Sequence, residues 1–263
     1  MYYYNGIVFK GRWIQNMKYA RFLSDTLTIG EKMLCSGAEV SRVEDSIIRI
    51  CSAYGAERVD VFTITSSIVV SVVFEGKTYT QTRRILNYRT DFDMLDKLND
   101  LSRYICKNRP DEDYIEEKVK TILAKKDYPK WMRLIFWAIT AGAFTVFFGG
   151  VPTDGLISAV IGFLLMLCVE FVEGTGINKI FSNLICSFFV TVSAHLSVFA
   201  GIGISADKII IGNIMLLIPG LALTTSLRDL IGGDIMSGVL RFCEACLVAI
   251  GIAGGYFAAM MII

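Results

Sequence analysis

Residues 209–227 read IIIGNIMLLIPGLALTTSL, an apolar stretch without a single charged side chain. About 18–20 such residues, coiled into a helix, cross the roughly 30 Å hydrocarbon core of a membrane. Pro219 and Gly220 stand in the middle of the stretch, and a proline removes one backbone hydrogen bond and clashes with the preceding helical turn. The stretch therefore predicts a membrane-spanning helix that is interrupted at its centre.

Four further apolar stretches accompany this one, and all of them lie in the second half of the chain. They cover Met132–Gly150, Gly155–Val172, Ile180–Ile204 and Ile235–Ile263. Each is close to or above the length that crosses a membrane, and the short connections make neighbouring helices antiparallel. The sequence thus predicts a bundle of five transmembrane helices.

Charge divides the chain into two parts. Of its 51 Asp, Glu, Lys and Arg side chains, 39 lie in residues 1–130. The whole chain is 54% hydrophobic and 19% charged, whereas soluble proteins average about 45–50% and 25%. We therefore expect a soluble domain over residues 1–130 and a transmembrane domain over residues 131–263, in a mainly α membrane protein. The net charge of +1 argues against nucleic acid as a partner.

The soluble part has the signals of a small α+β domain. Its predicted elements are a helix over Asn16–Leu34, a helix opened by the capping box Ser41-x-x-Glu44 and ending near Tyr54, a β-hairpin over residues 59–80 with its turn at Glu75-Gly76, and amphipathic helices over residues 93–108 and 111–126. Two strands alone are marginally stable, so the hairpin needs these helices, or a second subunit, to cover its apolar face.

Lys and Arg side chains indicate the orientation in the cytoplasmic membrane, because they accumulate on the cytosolic side. A cytosolic N-terminus and an external C-terminus place one such residue, Lys208, outside. Seven lie inside: Lys125, Lys126, Lys130, Arg133, Lys179, Arg228 and Arg241. The seven scattered cysteines show no disulfide pattern, which fits a reducing compartment for the soluble part.

Five ionisable residues mark the turn between the last two predicted spans and the helix after it: Arg228, Asp229, Asp234, Arg241 and Glu244. A charge at the bilayer centre costs at least about 2.5–3.5 kcal/mol, so it tends to face a partner or a water-filled path. The last three recur at helical spacing, and Glu244 falls about 15 Å beyond Asp234, near the midplane. One interpretation is an ion pair of Arg241 with Asp234 or Glu244 that fixes packing; the other is a substrate or proton path.

Several other residues are candidates for the same path. An interrupted span exposes backbone groups that bind substrate in transporters, so Pro219, Gly220 and the neighbouring Asn213, Thr224 and Thr225 form a candidate substrate site; the alternative is a benign kink. Glu170 ends the second span, either as a solvated carboxylate or as a proton relay. His195, the single histidine, lies inside the third span, either packing neutrally or titrating near neutral pH.

No motif indicates a cofactor, a metal site or an enzyme. The soluble part lacks histidine and any glycine-rich phosphate loop. Cys243 and Cys246 form a CxxC within an apolar helix, where they serve more naturally as small packing residues than as redox or zinc ligands.

Two stretches of the chain resemble the N-terminal half of the threonine/serine exporter family. Ser36–Val72 contains the elements SGAE, RVED and AYG, and Gly212–Ala245 contains PG, RDL, GD and SG followed by an Arg and EA. Full-length family members have a cytosolic domain and about ten spans. With five predicted spans, this sequence resembles the split form, in which a second small membrane subunit supplies the rest.

The resemblance implies a proton-driven secondary exporter of small hydrophilic carboxylates: L-threonine, L-serine, or a C4 dicarboxylate such as succinate. A substrate carboxylate needs a cation, for which Arg241 or Arg228 is the natural candidate. Asp229, Asp234 and Glu244 would then relay protons or orient the arginine. At Thr224–Ser226 this sequence has TTS where the family often has Asn beside Thr, which leaves the choice among these substrates open.

A membrane-anchored sensor or scaffold is the alternative function. Its cytosolic domain would bind a ligand or partner, and its spans would oligomerise through small residues such as Gly251, Gly254 and Gly255. A membrane-tethered hydrolase is a weaker third possibility, because no catalytic constellation accompanies it. Essential polar residues in the last two predicted spans would favour the exporter.

Overall fold

A computed structural model describes residues 4–86, 88–125 and 128–263. The chain is mostly helical, with one small antiparallel sheet. The helices are α1 (Tyr4–Cys35), α2 (Val40–Ala53), α3 (Phe92–Asn108), α4 (Glu112–Leu123), α5 (Lys130–Phe147), α6 (Pro152–Gly174), α7 (Lys179–Phe199), α8 (Ala206–Ile214), α9 (Gly220–Ile231) and α10 (Ile235–Met260). The strands are β1 (Arg58–Ile64), β2 (Ser67–Phe74) and β3 (Lys77–Arg84).

The chain divides into two compact units, and each unit combines two separate segments of the sequence. The first unit combines Met1–Lys126 with Thr225–Arg241, and the second combines Asp127–Thr224 with Phe242–Ile263. The turn between α9 and α10 therefore belongs to the same unit as the N-terminal domain. A domain boundary at residue 130 remains a prediction.

The core of the first unit lies between the helices and one face of the sheet. Strand β2 alternates strictly, so that Ile68, Val70, Val72 and Phe74 are buried while the residues between them are not. Helix α2 contributes the fully buried Val43, Ile47 and Ile50 from one face, and α1, α3 and α4 add leucines and isoleucines to the same core. Burial of each such side chain contributes about 1.5–3 kcal/mol. This core covers the apolar face of the sheet, as the sequence required.

The predicted hairpin is wrong in one respect, because the sheet has three strands in the order β1-β2-β3. Strand β1 pairs with β2 from Arg58↔Val73 to Ile64↔Ser67, and Thr65 and Ser66 form the tight turn between them. The second turn, at Glu75 and Gly76, is the predicted one. The first was missed because the run TITSSIVV is β-branched and polar throughout, without the glycine or proline that usually signals a turn.

The predicted capping box at Ser41 is also wrong. Helix α2 begins at Val40, and its N-cap residue, Glu39, makes no side-chain capping bond. Glu44 instead accepts a hydrogen bond from the backbone N–H of Thr63 in β1, at 2.7 Å. A tertiary contact between helix and strand has replaced the local cap. Helix α1 also begins well before the predicted Asn16.

Three of the described helices are long and apolar enough to cross a membrane: Pro152–Gly174, Lys179–Phe199 and Ile235–Met260. The first predicted span corresponds to α5, which has 18 residues. The fourth predicted span consists of α8 and α9, which have 9 and 12 residues and are each too short to cross alone. Residues 215–219 between them are not helical, and the N–H of Gly220 bonds to the carbonyl of Ile218. The predicted interruption at Pro219 is confirmed.

Helices α7 and α10 pack in parallel in the second unit, with their backbones in contact. A Cβ on Gly251 would lie 2.6 Å from the carbonyl oxygen of Ile180, and one on Gly255 would lie 2.1 Å from that of Leu184. The hydroxyl of Ser187 donates to the carbonyl of Ile252 at 2.8 Å. These glycines therefore permit close helix packing within the chain, which removes a reason to assign them to oligomerisation.

Candidate functional site

The candidate site lies in the first unit, where the turn between α9 and α10 gathers charged side chains. Gly233 adopts a left-handed conformation with φ of +95°, which glycine allows at little cost. The chain then reverses so tightly that a Cβ on Gly238 would lie 2.9 Å from the carbonyl oxygen of Ser226. This close approach brings Asp229 of α9 beside Arg241 of α10.

Arg241 and Asp229 form a buried ion pair. The Nη1 atom of Arg241 lies 3.2 Å from Oδ2 of Asp229, and the two side chains are only 9% and 1% exposed. The guanidinium carbon also lies 5.9 Å from the centre of the Tyr88 ring. Tyr88 precedes α3, so the arginine is held by residues from three parts of the chain.

The hydrogen bonding of this pair is incomplete. Among the described residues, Nη2 of Arg241 has no hydrogen-bond partner, whereas the carboxylate of Asp229 interacts with the backbone N–H of Val40 as well as with Arg241. Buried polar groups are usually satisfied, and each exception costs about 1–3 kcal/mol. Arg241 therefore holds donor capacity that a small polar ligand could use.

Further charges surround the pair. Arg228 forms an ion pair with Glu39 at the start of α2, and the Arg228 side chain is exposed. Burial raises the pKa of Glu44, and the nearby charge of Asp234 raises it further, while the hydrogen bond from Thr63 opposes the rise. We call Glu39, Arg228, Asp229, Asp234 and Arg241 the α9–α10 cluster.

Two predictions about the charges on α10 are wrong. Arg241 pairs with Asp229 and not with Asp234 or Glu244. Glu244 is exposed while Arg241 is buried, so the two do not share one polar face. Glu244 also does not lie at the depth that was predicted for it. Gly251 of α10 packs against Ile180, the second residue of the parallel helix α7. Glu244 precedes Gly251 by seven residues, so it lies about 10 Å outside the N-terminal end of α7.

The residues predicted around Pro219 are divided between the two units. Asn213 is fully buried in the second unit, and Thr224, also of the second unit, is exposed and donates its hydroxyl hydrogen to the carbonyl of Gly220 in its own helix. Thr225 belongs to the first unit. A substrate site formed by Asn213, Thr224 and Thr225 remains a prediction.

Glu170 and His195 belong to the second unit. Glu170 is ion-paired with Lys130 and Arg133 at the start of α5, so it is not a solvated helix-end carboxylate. His195 lines an apolar cavity of about 400 Å³ with residues that include Phe199 and Ile263. Its buried Nε2 has no hydrogen-bond partner within the described ranges.

Sequence reasoning missed three further buried polar residues in the second unit: Thr145, Asp154 and Ser158. Each has 0% exposure. Asp154 could have been found, since it is the only charged residue in the sequence between Arg133 and Glu170. As for metals, the part of the chain that the structure describes holds no group of three or more His, Cys, Asp or Glu residues that could bind an ion.

Apolar helices of membrane-spanning length, one of them accompanied by an interrupted helix, define a helical membrane protein. The chain belongs to the threonine/serine exporter family, whose pattern it matches over residues 26–263.

Two relatives carry functional names. A threonine/serine exporter of Corynebacterium glutamicum is 27% identical over 237 residues, which are 86% of this chain and 48% of that protein. A protein of Klebsiella aerogenes named "Probable succinate transporter subunit YjjP" is 19% identical over 229 residues, 87% of this chain and 88% of that protein. The chain thus spans about half the length of the first relative and most of the second. No solved structure matches the chain.

Proposed function

We propose that the chain is one subunit of a proton-driven secondary exporter of small hydrophilic carboxylates in the cytoplasmic membrane. The substrates would be L-threonine, L-serine or a C4 dicarboxylate such as succinate, the compounds in the names of the two relatives. The chain would cross the membrane five times, with its N-terminus in the cytosol and its C-terminus outside. Helix α5 and the α8–α9 pair would supply two of these crossings.

A second membrane subunit completes this proposal. The chain matches only 48% of the Corynebacterium glutamicum exporter but 88% of a protein that is named a transporter subunit. Like the relative that is named a subunit, the chain would work with a separate small membrane protein that supplies the remaining spans. The two would form a heteromeric transporter, which fits the predicted oligomer.

The buried Arg241 is the observation that supports this function. Arginine binds carboxylates through two parallel hydrogen bonds, and Nη2 of Arg241 has no partner in the described structure. Asp229, at 3.2 Å from Nη1, would hold the arginine in place until a substrate carboxylate displaces it. Arg228 would attract anions at the rim, because its side chain is exposed and its partner is Glu39.

Efflux from preloaded cells tests the proposal. Cells containing labelled threonine, serine or succinate would express the chain alone, the chain with its candidate partner, and the pair carrying Arg241→Ala or Arg241→Lys. Loss of a charged hydrogen bond costs about 1.5–3 kcal/mol, which corresponds to a decrease of roughly 10- to 150-fold in substrate affinity. We expect Arg241→Ala to abolish efflux at low internal substrate, and Arg241→Lys to rescue it only partly, because lysine lacks the planar fork.

Arg49→Ala is the matched control, because it removes the same residue type from an exposed position of the same unit, outside the α9–α10 cluster. It should change efflux by less than about threefold, in line with an exposed i,i+4 helix pair worth about 0.3–0.5 kcal/mol. Normal efflux by a correctly inserted Arg241→Ala pair would exclude Arg241 as the carboxylate ligand. If no substrate leaves cells that contain both subunits, the sensor or scaffold becomes the better interpretation.

A further inference from the structure

A seam of polar side chains is buried between α5, α6 and α8 in the second unit. It consists of Thr145, Asp154, Ser158 and Asn213, all with 0% exposure, and we call it the polar seam. The side-chain amide of Asn213 donates to Oγ of Ser158 at 2.7 Å, and the Thr145 hydroxyl donates to the same atom at 2.6 Å. Asp154 lies one helical turn from Ser158 on α6.

The polar seam contains two acceptor atoms without a donor. Oδ1 of Asp154 accepts from the backbone N–H groups of Ile204 and Ser205, at 2.8 and 3.4 Å. Its Oδ2 atom and Oδ1 of Asn213 have no hydrogen-bond partner among the residues described. A buried charge and a buried amide oxygen are expensive to leave unsatisfied in a membrane-spanning region. Each of these two acceptor atoms needs a hydrogen-bond donor.

The packing around Thr145 and Asn213 leaves little space in that part of the seam for anything larger than a proton. A Cβ on Gly212 would lie 2.0 Å from Oγ1 of Thr145, and one on Gly162 would lie 3.3 Å from Oδ1 of Asn213. Hard metal cations require about six or more oxygen ligands in a cage, and a carboxylate substrate requires more room still. A proton needs neither a cage of oxygen ligands nor additional room.

The direction in which proton binding must affect substrate binding distinguishes Asp154 from Asp229. A proton-driven exporter must bind the proton and the substrate in alternation. A proton on Asp229 would weaken its hold on Arg241 and favour substrate binding at the same time, which is the behaviour of a symporter. Asp229 therefore suits the role of counter-ion, and the coupling carboxylate has to lie elsewhere.

We propose that Asp154 is the residue that binds the driving proton. This inference rests on the proposed function and its orientation, which places the α6 N-terminus at the external side. The proton adds to a lone pair of Oδ2, which converts the carboxylate into a neutral carboxylic acid, and no other bond changes. In the opposite conformation the acid releases the proton to cytosolic water.

Few other charges bear on Asp154. Residues 134–153 of α5 and the following turn contain no ionisable side chain, and in α6 only the thiol of Cys168 lies between Asp154 and Glu170. Helix α8 contributes Asp207 and Lys208 in its first turn, and α7 contributes His195 near its end. The carboxyl group is thus the one buried acid on these elements.

Asp154→Asn tests this role with little structural change, because its amide oxygen can still accept from Ile204 and Ser205. The two-subunit protein would be reconstituted in liposomes for two measurements. One is exchange of labelled for unlabelled substrate without a pH gradient. The other is substrate accumulation driven by a pH gradient, with proton movement followed by a dye. We expect exchange within about twofold of the unsubstituted protein, and a loss of at least tenfold in both accumulation and proton movement.

Asp207→Asn is the control, because Asp207 is an exposed acid two residues after Ser205; it should retain both activities. Gradient-driven accumulation by Asp154→Asn at the unsubstituted rate would overturn the inference, and so would accumulation that follows sodium instead of protons. Absence of exchange in the unsubstituted protein would instead overturn the proposed function.

If Asp154→Asn also lost exchange, substrate binding to the purified pair would decide. The inference requires binding to weaken at low pH in the unsubstituted protein and to lose this pH dependence in the variant. Unchanged pH dependence in the variant would overturn it.

Discussion

The ion pair between Arg241 and Asp229 can be tested for stability separately from transport. Its side chains are 9% and 1% exposed, and removing one partner of such a pair leaves an uncompensated buried charge, at a cost of about 3–5 kcal/mol. For a protein of this size 1 kcal/mol corresponds to roughly 2–4 °C in melting temperature. We therefore expect Asp229→Ala to lower the melting temperature of the purified protein by about 6–20 °C.

The double variant Asp229→Leu/Arg241→Met removes both charges and replaces both side chains by apolar ones of similar size. Replacing both partners of a buried pair by apolar residues of similar volume is often close to neutral for stability, so this variant should melt within a few degrees of the unsubstituted protein. It should still fail to export, because the cation for the substrate carboxylate is gone. Recovery of stability without recovery of transport would show that Arg241 acts on the substrate and does not merely fix packing.

An exposed pair of the same unit provides the control. Arg49 and Asp45 lie four residues apart on α2, with side chains 71% and 55% exposed, and such helix pairs are worth only about 0.3–0.5 kcal/mol. Asp45→Asn should therefore change the melting temperature by about 2 °C or less. If Asp229→Ala lowered it no more than Asp45→Asn does, the Arg241–Asp229 pair would not be buried in the working protein and the reasoning would fail.

Two further predictions concern packing and pH. Gly255→Leu should separate α7 from α10, because even a Cβ would lie 2.1 Å from the carbonyl oxygen of Leu184. We expect loss of the folded protein in size-exclusion chromatography. Gly174→Ala is the control and should leave the elution unchanged, because a Cβ at Gly174 meets nothing within 4 Å. Burial, followed by the charge of Glu116, raises the pKa of Asp25 to about 6. The folded state thus binds this proton more tightly than the unfolded state, so the contribution of Asp25 to stability improves as pH falls from 7 through 6 towards 4. Asp25→Asn should raise the melting temperature at pH 7.5 and lose this advantage near pH 4; an equal effect at both pH values would contradict the assignment.

Much of the secondary structure could be predicted because local patterns dominate it. The amphipathic helices α3 and α4 lie close to the predicted ranges, and Asp91 and Asp111 cap them by accepting from the N–H groups of Met94 and Tyr114. The break before Gly220 followed from the covalent structure of proline. In each case neighbours in the sequence decide the outcome, and no distant contact has to be known.

The site was less predictable because distant contacts decide it. Helical spacing placed Arg241 and Glu244 on one face, but the tight turn at Gly233 and Gly238 paired Arg241 with Asp229 of the preceding helix. Asp154 lies in the first turn of α6, and only the loop at Ile204 and Ser205 shows that its carboxylate is buried. Pairing across a turn and capping across 50 residues leave no periodic signal in the sequence.

The two stretches that carry the family resemblance meet in the folded chain. Glu39, in Ser36–Val72, pairs with Arg228, in Gly212–Ala245, although 189 residues separate them. The start of α2 is therefore in direct contact with the α9–α10 turn that positions Arg241. A motion of α2 would move the arginine, and an altered position of the arginine would be felt by α2. The N-terminal domain is therefore a structural part of the α9–α10 cluster.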